Sequence, residues 1–374
     1  MRILIVQRSL SPPGGGNGVA AWMVHALSLR HDVATLTAGE WSVEETNDFY
    51  GTSIDAAAVR RHVIPAPWRW LSGLADDRIT RLRMCSVLHY ARPLASQYDL
   101  MITADNFAAF AKPGIQYVHF PARLQPEPAR LAALVRVYFD LCDRLLGAPW
   151  MDAAKNMTLA NSQWTAERLA GLGEVWKPSV LYPPVQDPGP GLSWPDRDDR
   201  FLCVGRFHPS KRIDTSIAIV KAVRASALPN ARLSIVGSAV DTAYRSQIRE
   251  LAEREGSWIE FREDLTRQEL NTLMGRSRFG IQAMEGEHFG MATAEMTRAG
   301  CLVFAHNSGG SPEVLNHDPS LLWTTADEAI DRISAMASTN RSALSAALRE
   351  HARQFSTEMF EENLRRVVEN AHVS

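Results

Sequence analysis

The sequence contains few cysteines and no histidine pair with the spacing of a metal motif. Its cysteines, Cys85, Cys142, Cys203 and Cys301, are far apart and form no CxxC pair. They lie in apolar segments, where a thiol behaves as a small hydrophobic group. None of the eleven histidines belongs to a helical HxxxH or HExxH pair. We therefore expect buried, reduced cysteines and no zinc site built from protein ligands.

Long hydrophobic runs and a strong net charge are also missing. Nowhere do eighteen uncharged apolar residues follow one another, so no segment is predicted to span a bilayer. The apolar run at residues 3–6 is short and turns polar at Gln7, which is not the pattern of a signal peptide. The formal net charge of -2 gives no reason to expect a nucleic-acid partner. We expect a cytoplasmic protein.

One acidic pair has a spacing that suits a metal. Asp196 and Asp198 form an Asp-x-Asp sequence, which can hold a divalent cation against a diphosphate. The pair lies in the polar, Pro-rich stretch 183–200, where acidic residues usually face water. We therefore interpret it as part of a linker and predict no metal site.

Short apolar runs alternate with helical patterns along the chain, which is typical of parallel sheets covered by helices. A chain of 374 residues is long enough for two such domains. Strands are predicted at residues 3–7, 32–36, 61–64, 100–103, 115–119, 157–160 and 179–182, then at 200–204, 232–236, 258–261, 279–283, 301–305 and 321–323. A Pro- and Gly-rich stretch interrupts the alternation. We predict domains at 1–183 and 200–355, a linker at 184–199, and a last helix within 356–374 that crosses back onto the first domain.

A glycine-rich segment, residues 14–18, follows the first predicted strand and opens a helix. Because glycine has no side chain, the amides of Gly15 and Gly16 can approach a phosphate or a sugar. The segment is a poor dinucleotide fingerprint: counted from Gly14, the GxGxxG spacing fails at Val19, and no acidic residue closes the second strand. A ligand-binding loop and a plain turn both stay open.

Polar residues follow two other predicted strands, at the sheet edge where ligands bind in this class of fold. After the first strand of the second half come Gly205, Arg206 and Lys211. An Arg fork and a Lys point charge together suit a diphosphate; the alternative is a solvated basic loop. His119 ends the strand predicted at 115–119, where it is either a ligand of the cleft or a structural histidine.

The most informative motif carries two carboxylates. Glu287 and Glu295 are eight positions apart around Phe289, Gly290 and Met291, which open a helix. Carboxylates bind vicinal hydroxyls through charge-assisted hydrogen bonds, and the exposed amides at a helix start attract anionic oxygens. The motif predicts a site for a nucleotide sugar.

Together these motifs resemble those of retaining GT-B glycosyltransferases of family four. The resemblance rests on Gly205-Arg206 with Lys211, and on the segment 287–290 with Glu295. Further segments resemble the branch of eukaryotic alpha-1,2-mannosyltransferases that extends dolichol-linked oligosaccharide: residues 11–18, 117–121, 161–165, 181–184 and 305–310.

The resemblance implies a fold and a set of roles. The fold is GT-B, with two doubly wound Rossmann-like domains facing across a cleft. Arg206 and Lys211 would hold the donor diphosphate, and Glu295 the ribose hydroxyls. Glu287, with the amides of residues 289–291, would hold the transferred sugar, which His119 would reach from the opposite domain. We expect retaining, metal-independent transfer of a hexose, with mannose from GDP-mannose favoured, to a glycan or lipid-linked acceptor, without a cofactor other than the donor.

Three other functions are compatible with this fold class. A nicotinamide oxidoreductase needs the glycine fingerprint and its acidic ribose ligand, and that combination is missing. A nucleotide-sugar epimerase and a non-catalytic nucleotide-sugar-binding module stay open as alternatives. The base, the acceptor, the linkage and the oligomeric state are not determined by these motifs.

One segment combines aromatic and basic residues. Trp68 and Trp70 lie beside Arg69 and are followed by Arg78 and Arg81. This combination suits a peripheral interface with anionic lipid at the inner face of a membrane. The alternative is an aromatic loop that packs on its own domain.

Overall fold

The computed structural model describes residues 1–66, 80–120, 137–138, 141, 153–189, 191–238, 241–337 and 339–373. The chain divides into two compact units: unit 1 is Met1–Pro184 with Thr357–Ser374, and unit 2 is Val185–Ser356. Trp68, Arg69, Trp70 and Arg78 of the predicted lipid interface lie outside the described residues, as does Cys142. Cys85, Cys203 and Cys301 are buried and carry reduced thiols.

Unit 1 is built on a seven-stranded sheet with the order β3-β2-β1-β4-β5-β6-β7, in which neighbouring strands run parallel. The strands are β1 Arg2–Val6, β2 Asp32–Thr37, β3 Val59–Val63, β4 Leu100–Thr103, β5 Ile115–Val118, β6 Met157–Ala160 and β7 Ser179–Val180. The central strands are buried on both faces, which explains why they read as continuous apolar runs. The reversal of strand order between β1 and β4 is typical of a doubly wound fold.

Unit 2 repeats this architecture with a six-stranded parallel sheet in the order β10-β9-β8-β11-β12-β13. Its strands are β8 Asp198–Val204, β9 Arg232–Gly237, β10 Ile259–Glu263, β11 Ser277–Gln282, β12 Leu302–His306 and β13 Leu322–Trp323. Phe279 stacks on Phe201 with ring centroids 4.9 Å apart, at the centre of the core. The predicted fold class, two doubly wound parallel-sheet domains, is confirmed.

Helices cover the faces of both sheets. In chain order the described helices are α1 Gly15–Ser28, α2 Val43–Tyr50, α3 Thr80–Ala91, α4 Gln163–Ala170, α5 Ile213–Ser226, α6 Thr242–Glu255, α7 Arg267–Arg276, α8 Met291–Arg298, α9 Ser311–Val314, α10 Ala326–Ala337, α11 Ser342–His351 and α12 Thr357–Val373. The last of these, α12, belongs to unit 1. It buries Phe360, Leu364 and Val368 in the core that α1 also lines, because these residues share one face of the helix.

The stretch predicted as a linker, 184–199, belongs to unit 2 from Val185 onward. Arg197 is buried there and donates hydrogen bonds to the carbonyls of Leu192, Ser277 and Ala299 at 2.9, 3.1 and 2.7 Å. Burial lowers the pKa of this guanidinium. By satisfying three carbonyls from different segments, Arg197 joins the start of unit 2 to its sheet.

Candidate active site

Two loops of unit 2 meet at the carboxyl edge of its sheet. One follows β8 and carries Arg206 and Lys211; the other follows β11 and carries Glu285 and Glu287. Because β8 and β11 are parallel neighbours, both loops leave the sheet at the same edge. The structure thereby brings together a basic and an acidic loop that are far apart in sequence.

The closest link between the loops is an ion pair. Lys211 Nζ donates a hydrogen bond to Glu287 Oε2, and both side chains are largely buried, at 18% and 19% exposure. Burial by itself raises the pKa of Glu287, but the charge and hydrogen bond of Lys211 outweigh it and lower that pKa. The carboxylate is therefore held as an anion beside a cation.

Glycine contacts and a short turn position the basic loop. A Cβ at Gly237, at the end of β9, would lie 1.9 Å from the carbonyl oxygen of Gly205, so this close approach requires glycine at position 237. Residues Pro209–Lys211 form a 3-10 turn that His208 caps by accepting a hydrogen bond from the Ser210 amide at 3.2 Å. Lys211 is thus presented directly before α5 begins.

The acidic loop is clamped by the segment that follows β12. The Gly286 amide donates to Ser308 Oγ at 2.7 Å, and the Gly310 amide donates to the Glu287 carbonyl at 2.6 Å. A Cβ on Gly309 would lie 2.0 Å from that same carbonyl oxygen. The two backbones approach so closely that only glycine fits at position 309.

The helix after the acidic loop begins as predicted from its motif. Gly290 precedes α8 with a φ of 99°, a left-handed conformation that favours glycine. Phe289 is buried and packs on Phe355 with ring centroids 5.2 Å apart. Gly290 has no side chain that could accept hydrogen bonds from the first-turn amides of α8, which begin at Met291. Uncapped amides at a helix start favour anionic oxygens.

The remaining predicted donor residues of unit 2 have different surroundings. Glu295 lies in the second turn of α8, where its Oε1 accepts a hydrogen bond from Arg267 at 2.8 Å. Arg206 is exposed and has no ion pair with any described residue. Burial lowers the pKa of His288 against the opposing charge of Glu287, and the charges of Lys211 and Arg206 add to the lowering. Arg206 therefore acts electrostatically on the acidic loop without being committed to a carboxylate.

A second ion pair joins the same two loops. Arg212 donates to Glu285, and His306 Nε2 lies 3.9 Å from the same carboxylate. Ser308 Oγ, which receives the Gly286 amide, also lies 2.8 Å from His306 Nδ1. Arg212, His306 and Ser308 were not predicted as site residues, although 306 and 308 lie in a segment of the resemblance. Their contacts with Glu285 and Gly286 span at least 21 positions, so local spacing carries no signal for these contacts.

In unit 1 the glycine segment and His119 lie together. Helix α1 begins at Gly15, and a Cβ on Gly16 would lie 3.2 Å from His119 Nε2, whereas a Cβ on Gly15 would meet nothing within 4 Å. His119 Nε2 lies 2.8 Å from the carbonyl oxygen of Ala104. Since a carbonyl can only accept, Nε2 carries a hydrogen. Glycine at position 16 therefore leaves room for this ring.

Asn106 holds the chain on which His119 sits. Its Oδ1 accepts hydrogen bonds from the amides of His119 and Phe120, at 2.8 and 3.0 Å. Its own amide donates to the Tyr117 carbonyl at 3.1 Å. Asn106 adopts a φ of 67°, a conformation that Asn and Asp tolerate better than most residues. Asn106 therefore fixes the backbone of His119 and Phe120 directly after the end of β5.

The described residues offer neither a metal cluster nor a membrane-spanning helix. No group of three or more His, Cys, Asp or Glu in the described part of the chain is placed to hold a metal ion. Within the same part, no helix combines the length and the apolar character needed to cross a membrane.

Residues 190–355, nearly all of unit 2, match the family Glycosyl transferases group 1. Unit 2 is therefore a glycosyltransferase group 1 domain, which confirms the predicted class of protein.

Solved structures share the fold of the whole chain. Sucrose-phosphate synthase from Thermosynechococcus elongatus has a TM-score of 0.69 at 16% identity, and the match covers 100% of this chain and 99% of that chain. Anabaena Alr3699/HepE in complex with UDP and glucose has a TM-score of 0.67 at 16% identity and covers 99% of both chains. The fold is that of GT-B glycosyltransferases.

Similar sequences carry a more specific name. The GDP-Man:Man(3)GlcNAc(2)-PP-Dol alpha-1,2-mannosyltransferase of Xenopus laevis is 24% identical over 257 residues, which cover 62% of this chain and 52% of that protein. The Homo sapiens protein of the same name is 26% identical over 255 residues, with 62% and 51% covered. The chain spans about half the length of these relatives. The resemblance noted in the sequence is confirmed.

Proposed function

We propose that the protein is a retaining glycosyltransferase that moves mannose from GDP-mannose to a glycan or lipid-linked acceptor at the cytoplasmic side of a membrane. The observation that carries the proposal is the Lys211–Glu287 ion pair within a glycosyltransferase group 1 domain. The relatives named for GDP-mannose and a dolichol-linked acceptor support the donor sugar and the acceptor class.

The proposed donor site uses the two loops for different parts of the nucleotide sugar. Arg206 has no carboxylate partner among the described residues, so its guanidinium is available for a diphosphate oxygen. Lys211 would share its charge between the diphosphate and Glu287. Glu287 and the first-turn amides of α8 would hold the sugar, and Glu295 the ribose hydroxyls. In unit 1, His119 is the proposed sugar ligand.

This arrangement suits the charges that develop during transfer. When the bond between the sugar and the phosphate breaks, negative charge grows on the leaving diphosphate and positive charge on the sugar ring. Cations already in place stabilise the negative charge on the diphosphate, and carboxylate or carbonyl oxygens stabilise the positive charge on the sugar ring. Removing one such group typically reduces the rate by roughly 10²–10³. Because Arg206 and Lys211 supply positive charge at the diphosphate, we propose that transfer needs no metal ion.

Thermal-shift and transfer measurements test the proposal. GDP-mannose and GDP, each at about 100 times the dissociation constant, should stabilise the protein by roughly 2.7 kcal/mol. Mannose should then pass from GDP-mannose to a lipid extract, in unchanged yield when a chelator is added, and NMR of the product should show the alpha configuration of the donor.

Each contrary result identifies a different error. Stabilisation by UDP-glucose instead of GDP-mannose would contradict the proposed donor. A sugar product that is inverted at one ring carbon and not transferred to an acceptor would indicate a nucleotide-sugar epimerase. Tight donor binding without transfer to any acceptor fraction would indicate the binding module, and a product of beta configuration would exclude retention.

The proposed role of His119 leads to a prediction for Asn106. Asn106→Gly keeps the positive φ but removes the oxygen that receives the His119 and Phe120 amides, so the ring should lose its fixed position. We expect kcat to fall at least about tenfold, since small misplacements of catalytic groups cost up to 10²-fold. Asn106→Asp, the matched control, keeps an acceptor oxygen and should retain most of the activity. Equal kcat values for the parent and Asn106→Gly would show that this clamp is not used.

A further inference from the structure

Arg267 occupies a position that is electrostatically unfavourable for an arginine. It is the first residue of α7, directly after the capping residue Thr266. Thr266 and Glu269 form a reciprocal capping box, in which Thr266 Oγ1 accepts from the Glu269 amide at 3.2 Å and Glu269 Oε2 accepts from the Thr266 amide at 2.8 Å. The start of the helix is therefore well defined, and with it the origin of the Arg267 side chain.

The positive end of the α7 dipole repels a cation at this position, where acidic residues are favoured. Arg267 is compensated by a carboxylate from another helix: its guanidinium donates to Glu295 Oε1 at 2.8 Å. The two residues are 28 positions apart in sequence. Departures from such local rules are expected mainly at functional or strained sites.

The geometry of the pair engages only part of the carboxylate. Glu295 is 15% exposed and Arg267 30% exposed. Within the described residues, Glu295 Oε1 is hydrogen-bonded to Arg267 and Oε2 has no protein partner. The bond to Oε1 also fixes the direction of Oε2, whose lone pairs are not used within the described protein. Such an oxygen is suited to accept hydrogen bonds from the hydroxyl groups of a ligand.

We propose that Arg267 is a positioning residue: it orients Glu295 so that Oε2 accepts the ribose hydroxyls of the donor nucleotide, and it thereby sets the preference of the site for ribose over 2′-deoxyribose. The inference rests on the proposed function, in which Glu295 contacts the ribose. A site built to bind a hydroxyl discriminates against an analogue that lacks it. Loss of Arg267 leaves the carboxylate in place but free to turn, so the discrimination should fall more than the total affinity.

The variant is expected to remain folded, which makes the measurement interpretable. Partly exposed ion pairs contribute little to stability, and removal of Arg267 also relieves its repulsion by the helix dipole. Arg276 is a matched control: it lies in the same helix, in its last turn, and is exposed. Arg276→Ala removes one cation from α7 without touching Glu295.

Isothermal titration with GDP and 2′-deoxy-GDP, and in parallel with UDP and 2′-deoxy-UDP, tests the inference. The parent and Arg276→Ala should bind the ribonucleotide at least about tenfold more tightly than its deoxy form. This is the ratio of affinities expected from one hydrogen bond to a charged group. In Arg267→Ala this ratio should fall to about threefold or less. Glu295→Ala should give the same low ratio, and adding Arg267→Ala to it should change the ratio no further, because the two residues act as one unit.

The failures are distinguishable. If the parent binds none of these nucleotides, the proposed function is wrong. If the parent discriminates and Arg267→Ala keeps the full ratio, Arg267 does not position Glu295, although the proposed function stands. A parent that binds nucleotides without preferring ribose would overturn the inference as well, because Glu295 would then not hold the ribose.

Discussion

Lys211→Ala should reduce the rate of sugar transfer by at least roughly 10²–10³, the effect of removing one group that stabilises developing charge. Lys211 is paired with Glu287 at the edge where the basic and acidic loops meet. Its loss removes positive charge from the proposed diphosphate site and also leaves a largely buried carboxylate without its partner. We expect both kcat and kcat/KM for the donor to fall, as measured by transfer from labelled GDP-mannose.

Lys221→Ala is the matched control for this substitution. Lys221 lies on α5, is 61% exposed and pairs with Glu255 at 2.8 Å. An exposed pair of this kind contributes little to stability, and its place on the outer face of α5 is unrelated to the two loops. The control should transfer sugar at the parental rate. A Lys211→Ala variant that is equally active would refute the assignment of Lys211 to the diphosphate.

The effect of Lys211→Ala on stability should depend on pH. In the parent, burial opposes ionisation of Glu287, but Lys211 outweighs it and the pKa is lowered. A carboxyl group whose pKa is lowered by folding stabilises the folded state above its unfolded pKa, and this contribution is lost as pH falls through the folded value. Without Lys211 only burial remains, so the pKa should rise and protonation should favour folding.

The difference in free energy of unfolding between the parent and Lys211→Ala should therefore be largest at neutral pH. It should begin to shrink above about pH 4.3, the ordinary pKa of a glutamate, as Glu287 becomes protonated in the variant, and should shrink further below that pH as Glu287 becomes protonated in the parent. Urea unfolding at neutral and acid pH measures this difference. A difference that grows on acidification would contradict the sign of the interaction.

Gly309→Ala should destabilise unit 2 and weaken nucleotide binding. Gly309 has a φ of 75°, and an added Cβ would lie 2.0 Å from the carbonyl oxygen and 2.6 Å from the amide nitrogen of Glu287. Both atoms belong to the backbone, so the acidic loop itself must move. We expect a loss of about 4 kcal/mol in the free energy of unfolding, at the upper end of single-substitution effects, and at least tenfold weaker binding of GDP-mannose.

Gly286→Ala separates backbone strain from steric overlap. Gly286 lies in the same loop with a φ of 64°, but a Cβ there would meet nothing within 4 Å. This substitution should cost only about 1–2 kcal/mol, the penalty of the left-handed conformation. Urea unfolding and titration with GDP-mannose compare the two variants. Similar losses in both would show that the contact of Gly309 with Glu287 does not support the loop.

Much of the fold was predictable because parallel strands buried on both faces read as apolar runs. Every strand of both sheets was predicted within a few residues, and so was α12. Helix α2 was missed, since Asn47 and Asp48 are poor helix formers. Its start nevertheless carries a local signal: Ser42 accepts a hydrogen bond from the Glu45 amide, and a Ser followed three positions later by Glu marks a helix start.

The sequence alone determined the residue types of the candidate site and the ends of strands on which they lie. Lys211 follows β8, Glu287 follows β11, and a glycine opens the helix that carries Glu295. Motifs of this kind are local, because a strand, its turn and the next helix are specified by consecutive residues. The same local character made the resemblance to GT-B glycosyltransferases recognisable.

Only the tertiary structure decided which charges meet. Lys211 pairs with Glu287 across 76 positions, Arg212 with Glu285 across 73, and Arg267 with Glu295 across 28. The first two pairs depend on the order of strands in the sheet, which places β8 beside β11. The third depends on the packing of α7 and α8, the helices before and after β11. The requirement for glycine at position 309 has the same origin, since it is set by the backbone of a loop that is distant in sequence. Spacing along the chain carries no information on such contacts, because they form only when the sheet is assembled.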